Sequence, residues 1–242
     1  MQWERSAGVL LHPTCLRSGY GIGDLGAGAV DYVDWLARAD VGWWQVLPLH
    51  PTGPSQSPYS TTSTFAGNPL LIDPVELVGL GLLTAEEAAP PEGAHDYRVE
   101  FGLVVPLKER LLDRAWERFR ESPPGSLESE LEAFRDRHAG WLADYALFAA
   151  LKRAHGGAAW SSWPRPLALR EPGALEGWAG RHRDEIRRVE LEQLLFWRQW
   201  QALRRHAADR GIRILGDLPI FLAYDSAEVW AHRDLFLLDA EG

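Results

Sequence analysis

Cysteine is almost absent from this chain: Cys15 is the only one among 242 residues. A single cysteine excludes an intrachain disulfide, and proteins of oxidising compartments often depend on disulfides for stability. The first residues, Met1 to Ser6, do not form a signal-peptide pattern, and no apolar run is long enough to span a bilayer. These features predict a cytoplasmic protein that does not bind membranes.

Basic residues are also under-represented, since 25 Lys and Arg face 34 Asp and Glu and the formal charge is −9. An acidic surface repels phosphate groups, so no nucleic acid partner is expected. The eight histidines form no cluster with metal-ligand spacing, and the glycine-rich segment 21–26 does not follow the strand pattern of a dinucleotide-binding fold. No G-x-S-x-G nucleophile motif is present. The sequence therefore predicts neither a metal nor a cofactor.

The N-terminal part has the pattern of a βαβ unit. Apolar runs predict short strands at Ala7–Leu11 and Trp43–Leu47, and apolar residues at helical spacing predict a helix near Ala27–Ala39. Asp24 is expected to mark the start of that helix. Two strands joined through a helix pair in parallel, so a parallel sheet is expected.

Residues 74–183 are predominantly helical in pattern. Amphipathic helices are predicted over Leu107–Arg120 and from Ser126 to about Ala154. The Pro- and Trp-rich stretch Trp160–Gly180 is predicted to be irregular. After this segment, a third long helix is predicted over Asp184–Asp209. Ile212–Ile220 then reads as a third parallel strand. The pattern indicates a helical insertion between strands of barrel type.

Two features of the sequence favour a binding site without deciding for it. The loop after the second strand is rich in hydroxyls and amides and includes Tyr59, which together suit a hydroxyl-rich ligand such as a sugar. The same residues also suit an ordinary loop in which Ser and Thr cap turns. Asp217 stands at the end of the third strand, where barrel enzymes place functional groups, but it could equally cap the turn before Pro219.

Seven segments of the chain form a further pattern: G-V-L-L-H-P-T at 8–14, Y-G-I-G-D-L-G at 20–26, W-W-Q-V-L-P-L at 43–49, S-P-Y at 57–59, F-A-G-N-P-L-L-I-D at 65–73, D-Y-A-L-F-A-A-L-K at 144–152 and G-D-L-P-I-F-L-A-Y-D-S-A-E-V-W-A-H at 216–232. In their order and spacing they resemble the amylomaltase family of 4-α-glucanotransferases, which is related to the α-amylase barrel enzymes. The resemblance runs from about Ser6 to the last residue.

The resemblance implies the fold class α/β, a (β/α)8 TIM-barrel type of which only the first three strands are present, with a largely helical inserted subdomain. The segments are then 1–73, with the first two βα units and the substrate loop, 74–183, the helical insertion, and 184–242, with a barrel helix, the third strand and its loop.

The implied activity is the transfer of α-1,4-glucan segments between maltooligosaccharides by a retaining double displacement. The expected partners are therefore α-1,4-glucans and maltooligosaccharides. By the resemblance, Tyr59 stacks on the sugar beside the scissile bond, Ser57 contacts a neighbouring sugar, and Asp217 helps to hold the same sugar as Tyr59. Asn68 lies in a matched motif and is a possible further contact.

No catalytic residue is assigned within this chain, because the family's nucleophile lies in an R-x-D-H motif that the 242 residues lack. The nucleophile and the acid/base are expected beyond Gly242. Pro54 departs from the family, since some members have an aromatic residue there that holds glucan away from the active centre. Two alternatives stay open: a non-catalytic α-glucan-binding module, and a barrel fragment with no function of its own.

Overall fold

The computed structural model describes residues 5–94 and 97–239, and its strands form one parallel sheet in the order β1-β2-β3. These strands are β1 Gly8–Leu10, β2 Trp43–Gln45 and β3 Arg213–Leu215. Gly8, Trp43 and Arg213 are aligned across the sheet. The parallel βαβ arrangement predicted from the sequence is confirmed.

Helices are the main regular structure of the described residues. They are α1 Ala27–Arg38, α2 Pro74–Gly79, α3 Phe101–Glu121, α4 Leu127–Arg137, α5 Leu142–Ala154, α6 Arg165–Ala168, α7 Pro172–Arg181, α8 Arg183–Asp209 and α9 Ala227–Ala231. Among them, no helix in residues 5–94 and 97–239 is long and apolar enough to cross a membrane.

The chain divides into two compact units. The first, here called the sheet unit, comprises Met1–Leu49, Gly67–Glu128 and Leu195–Leu218. The second, here called the helical unit, comprises His50–Ala66, Ser129–Leu194 and Pro219–Gly242. All three strands belong to the sheet unit, whereas the loop that follows β2 belongs to the helical unit. The division into segments 1–73, 74–183 and 184–242 stays a prediction.

The sheet unit is organised around Trp44, which is fully buried at the centre of β2. Its indole Nε1 donates a hydrogen bond to the Leu11 carbonyl over 2.8 Å, so the ring's polar atom is satisfied inside the core. Val33 and Leu36 of α1 are also fully buried, as the helical spacing of apolar residues predicts. Gly8 permits the close approach of β1 to β2, because a Cβ there would lie 2.8 Å from Trp43 Cβ.

Aromatic side chains on and around α5 and α9 are the largest members of the core of the helical unit. Trp230 of α9 packs against Phe148 of α5 and against Trp163, with ring centroids 5.8 and 5.7 Å apart. Its Nε1 donates to the Leu167 carbonyl over 3.0 Å, and Trp160 Nε1 donates to the Tyr224 carbonyl over 2.8 Å. The indole N–H groups of Trp230 and Trp160 are thus both paired within the core.

Two predictions about the helical insertion are wrong. The helix expected from Ser126 to about Ala154 is two helices, α4 and α5, separated by a turn that contains Gly140. Glycine costs about 1 kcal/mol relative to alanine inside a helix, which favours a break there. The stretch Trp160–Gly180, expected to be irregular, contains a 3-10 helix and both α6 and α7. Its prolines lie at helix N-termini, where the missing N–H has no intrahelical partner to lose.

Other boundaries also differ from the prediction. The third strand covers Arg213–Leu215 instead of Ile212–Ile220, since β2 ends at Gln45 and offers no longer ladder. Helix α3 begins at Phe101, six residues before the predicted start, and includes Pro106. Asp24 does not cap α1, because Gly26 is the N-cap and no side chain bonds the first turn.

Candidate functional site

The loop of residues 50–66 in the helical unit is ordered by its own hydrogen bonds. Thr52 and Thr61 form an isolated antiparallel bridge, and the Gly53 amide donates to the Ser60 carbonyl over 2.7 Å. Within the turn so closed, Thr52 Oγ1 donates to Gln56 Oε1 over 2.7 Å. The loop is therefore a closed hairpin-like structure with a defined tip.

Ser57 and Tyr59 both lie at that tip. Ser57 Oγ accepts a hydrogen bond from the Tyr59 amide over 3.3 Å, and the Ser57 carbonyl accepts one from the Ser60 amide over 3.0 Å. The Tyr59 side chain is 50% exposed although its backbone is held in the turn. The structure thus brings these two predicted residues together and presents an aromatic face to solvent.

The far end of the loop is fastened by buried hydroxyls. Thr61 Oγ1 contacts the carbonyl oxygens of Pro51 and Ser63 at 2.9 and 2.5 Å, which ties the two sides of the loop. Ser63 Oγ donates to Glu228 Oε1 of α9 over 2.6 Å. Sequence reasoning missed Glu228, although it lies inside the matched segment at 216–232 and in the first turn of a helix.

A second exposed aromatic stands beside this anchored end. Phe65 is 60% exposed, and its ring lies nearly parallel to that of Trp141, with 6.3 Å between centroids and 19° between planes. The Phe65 amide donates to Ser63 Oγ over 3.2 Å, and this bond holds the backbone of Phe65 in place. The loop therefore presents both hydroxyl groups and flat apolar faces, the combination expected for a sugar ligand.

Asp217 belongs to the sheet unit, whereas Ser57 and Tyr59 belong to the helical unit. It lies two residues beyond the end of β3 and is half-buried. Asp217 therefore follows the C-terminal end of a parallel strand, the position in which barrel enzymes place functional groups.

Asn68, the fourth candidate, is buried in the sheet unit. Its side-chain oxygen accepts a hydrogen bond from the Leu70 amide over 3.0 Å and caps the 3-10 helix Pro69–Leu71. Its own amide donates to the Leu49 carbonyl over 2.9 Å. Asn68 therefore uses its oxygen for the backbone, which is a structural role.

The sheet unit contains a buried charged cluster that the sequence analysis missed. Lys108 Nζ lies 3.1 Å from Asp24 Oδ2 and 2.7 Å from the Ile72 carbonyl, and it sits 5.1 Å from the Tyr20 ring centroid. Burial lowers the pKa of Lys108, which the Asp24 charge partly opposes. Burial, with the charge of Asp24, raises the pKa of Asp73. The sequence contains one sign of this cluster, a lysine on the otherwise apolar face of α3.

The glycines of segment 21–26 have the spacing of a phosphate-binding turn, but packing accounts for them. A Cβ on Gly23 would lie 2.0 Å from the Pro13 carbonyl oxygen, and one on Gly26 would lie 2.5 Å from the Asp73 carboxylate. The carboxylates of Asp24 and Asp73 beside this turn would repel a phosphate. Within residues 5–94 and 97–239, no group of three or more His, Cys, Asp or Glu side chains could hold a metal ion.

Comparison with known proteins gives a consistent result. The sequence profile of the family described as 4-alpha-glucanotransferase matches residues 11–242. The 4-alpha-glucanotransferase of Thermus thermophilus is 47% identical over 242 residues, which are 100% of this chain and 48% of that protein. The one from Synechocystis sp. is 44% identical over 240 residues, covering 98% of this chain and 47% of that protein. The chain thus spans about half the length of the curated relatives it matches.

A solved structure agrees in fold. The amylomaltase from Streptococcus agalactiae, in complex with acarbose, superposes with a TM-score of 0.93 at 33% identity. The match covers 98% of this chain and 48% of the amylomaltase chain. Together with the three parallel strands, this match confirms the predicted fold class, a partial barrel of TIM type with a largely helical insertion.

Proposed function

The chain belongs to the 4-alpha-glucanotransferase family, and we propose that it forms the substrate-binding part of an enzyme that transfers α-1,4-glucan segments between maltooligosaccharides. The observation that supports this proposal is the family match over residues 11–242. The proposed chemistry is a retaining double displacement, in which one carboxylate forms a glycosyl-enzyme intermediate and a second carboxyl group serves as acid and then base. Both groups are proposed to come from outside these 242 residues.

Tyr59 is proposed to stack on a glucose ring, and Ser57 to contact a neighbouring sugar. The support is physical: the ring of Tyr59 is 50% exposed while the turn beneath it is hydrogen-bonded at Gly53, Ser57 and Ser60. Because the backbone of this turn is already ordered, little backbone entropy is lost there when a ligand binds. The C–H face of a sugar gains apolar contact from such a ring, and its hydroxyls gain partners from the loop.

Asp217 is proposed to accept hydrogen bonds from sugar hydroxyls. A carboxylate accepts through two oxygens, and a hydrogen bond to a charged acceptor is roughly twice as strong as a neutral one. Its place directly after a parallel strand is where barrel enzymes collect such groups. It is not proposed as the nucleophile, since it lies in no R-x-D-H motif.

The proposed ligands are α-1,4-glucans and maltooligosaccharides. The solved relative in complex with acarbose, a maltooligosaccharide analogue, supports that class of ligand. The proposed location is the cytoplasm, which the single cysteine supports.

The proposal is tested by incubating the complete natural protein with maltotriose and analysing the products. Transfer gives glucose together with maltooligosaccharides longer than maltotriose, whereas a glucan-binding module retains maltotriose without converting it. Residues 1–242 alone serve as the control and are expected to give no products. Turnover by purified residues 1–242 would contradict the placement of both carboxyl groups outside them.

A further inference from the structure

The N-terminus of α9 holds the end of the loop that contains Ser57 and Tyr59. Glu228 Oε1 accepts two hydrogen bonds, from Ser63 Oγ over 2.6 Å and from the Thr64 amide over 3.0 Å. Next to it, the Ala227 amide donates to the Thr62 carbonyl over 2.9 Å. Three consecutive loop residues are thus bound to two consecutive helix residues, which makes this contact a clamp and not a single bond.

Ser63 connects Glu228 to the backbone of the loop. Its hydroxyl is fully buried, donates to Glu228, and accepts from the amides of Phe65 and Ala66 over 3.2 and 3.3 Å. One donor and two acceptor positions are the whole capacity of a hydroxyl group. Because Glu228 takes the only donor, the hydroxyl cannot turn to another acceptor without giving up its bond to the carboxylate.

The clamped residues are continuous with the turn that presents Tyr59. Thr61 Oγ1 and the Thr62 amide both donate to the Pro51 carbonyl over 2.9 Å. The Gly53 amide then donates to the Ser60 carbonyl over 2.7 Å, one residue from Tyr59. A shift of Thr61 and Thr62 would therefore shift both sides of the loop and the ring at its tip.

Within the described residues, only Oε1 of the Glu228 carboxylate accepts hydrogen bonds. Its Oε2 is buried and has no hydrogen-bond partner among residues 5–94 and 97–239. The nearby His50 ring is held by the Ala66 carbonyl at 3.0 Å, and burial lowers the pKa of His50 although the Glu228 charge opposes this. A glutamine at 228 could accept both bonds through its one carbonyl oxygen, so the geometry separates the role of the acceptor from that of the charge.

We propose that Glu228 is a positioning residue for the transfer reaction: it sets the conformation of residues 51–64 so that Tyr59 is held in place for the glucan. This inference rests on the proposed function of Tyr59. Glu228 acts through Ser63 and Thr64 and does not itself touch the sugar.

The first test measures kinetics with maltotriose in the complete natural protein. Glu228→Ala is expected to lower kcat/KM about tenfold, mainly through a higher KM, which corresponds to about 1.4 kcal/mol. Glu228→Gln is expected to stay within about threefold of the wild type because it retains the acceptor. Glu176→Ala is the matched control, since it removes an exposed carboxylate from α7 of the same unit. A merely stabilising role would lower the melting temperature and leave KM unchanged in the folded protein, which would overturn the proposal.

The second test is a double-mutant cycle with Tyr59→Ala. If Glu228 acts through the Tyr59 ring, Glu228→Ala has little further effect once that ring is absent, because residues that act together are not additive. Additive effects would overturn the inference and leave the proposed function intact. If Tyr59→Ala alone changed nothing, the proposed role of Tyr59 and the inference would both fail.

Hydrogen exchange gives a readout that does not depend on activity. Glu228→Ala is expected to accelerate exchange of the Gly53, Ser60 and Thr64 amides, whereas Glu228→Gln and Glu176→Ala leave them protected. Unchanged protection in Glu228→Ala would show that the loop holds its conformation without the clamp and would overturn the proposal.

Discussion

Lys108 Nζ lies 3.1 Å from Asp24 Oδ2 inside the sheet unit, and both side chains are 2% exposed. The same ammonium donates to the Ile72 carbonyl over 2.7 Å, one residue before Asp73 caps α2. A single side chain of α3 thus joins the segment before α1 to the segment before α2. Asp24 and Ile72 are 84 and 36 residues from Lys108 in the chain, so this lysine links parts of the sheet unit that are distant in sequence.

Lys108→Met is expected to destabilise the complete protein by about 3–5 kcal/mol, because it leaves Asp24 as an uncompensated buried charge. Arg114→Met on the same helix is the matched control. Its ion pair with Glu87 involves an arginine side chain that is 49% exposed, and surface pairs of this kind contribute little to stability. Urea denaturation measures both changes. Equal losses of unfolding free energy in the two variants would show that the buried pair contributes no more to stability than the surface pair.

Asp73→Asn is expected to change the pH dependence of stability. Burial raises the folded-state pKa of Asp73 above its ordinary value of 3.8, so the folded protein binds more protons than the unfolded chain above that pH. Its contribution to stability is therefore present in full below about pH 3.8 and is lost as pH rises through the folded pKa. The asparagine removes this loss and can still cap α2.

The free energy of unfolding is measured by urea titration at several pH values from 4 to 8. The stability of Asp73→Asn relative to wild type should increase as pH rises through this interval. Parallel pH curves for the two proteins would contradict the raised pKa of Asp73.

Asp217→Asn should lower kcat/KM for maltotriose by about one to two decades without lowering the melting temperature. A charge-assisted hydrogen bond contributes roughly 1.5–3 kcal/mol, and the change retains the shape of the side chain. If only the melting temperature fell, Asp217 would be a turn cap.

Tyr59→Phe should reduce kcat/KM less than Tyr59→Ala does, because the phenyl ring keeps the stacking face and loses only the hydroxyl. Steady-state kinetics of the complete protein compare the two variants. Equal losses would indicate that the hydroxyl, and not the ring face, makes the contact with the sugar.

Residues 1–242 in isolation should bind a hydrophobic dye and aggregate. The outer strands β1 and β3 expose Leu10 by 53% and Leu215 by 48%, and an open edge with apolar side chains favours association. Leu215→Lys is expected to reduce dye binding, since a charge on an edge strand opposes pairing. Dye fluorescence and light scattering are the measurements. A monomeric sample with a sharp, reversible thermal transition would contradict the expectation.

Local pattern was sufficient for much of the fold. The spacing of Val33 and Leu36 predicts α1 to within one residue of its observed end, and the apolar runs around Gly8 and Trp44 predict two parallel strands. These features depend on residues a few positions apart, and their physical cause is backbone periodicity and turn chemistry.

The tertiary structure decided the features that depend on distant residues. Ser63 and Glu228 are 165 positions apart, and Asp24 and Lys108 are 84 apart, so no local pattern relates them. The side-chain oxygen of Asn68 accepts a hydrogen bond from the Leu70 amide, a capping role that the matched motif does not reveal. In each case a buried polar group must find a partner wherever the packed chain provides one, because leaving it unpaired costs about 1–3 kcal/mol. Sequence periodicity determines which side chains are buried, and only the folded chain determines with which partners they pair.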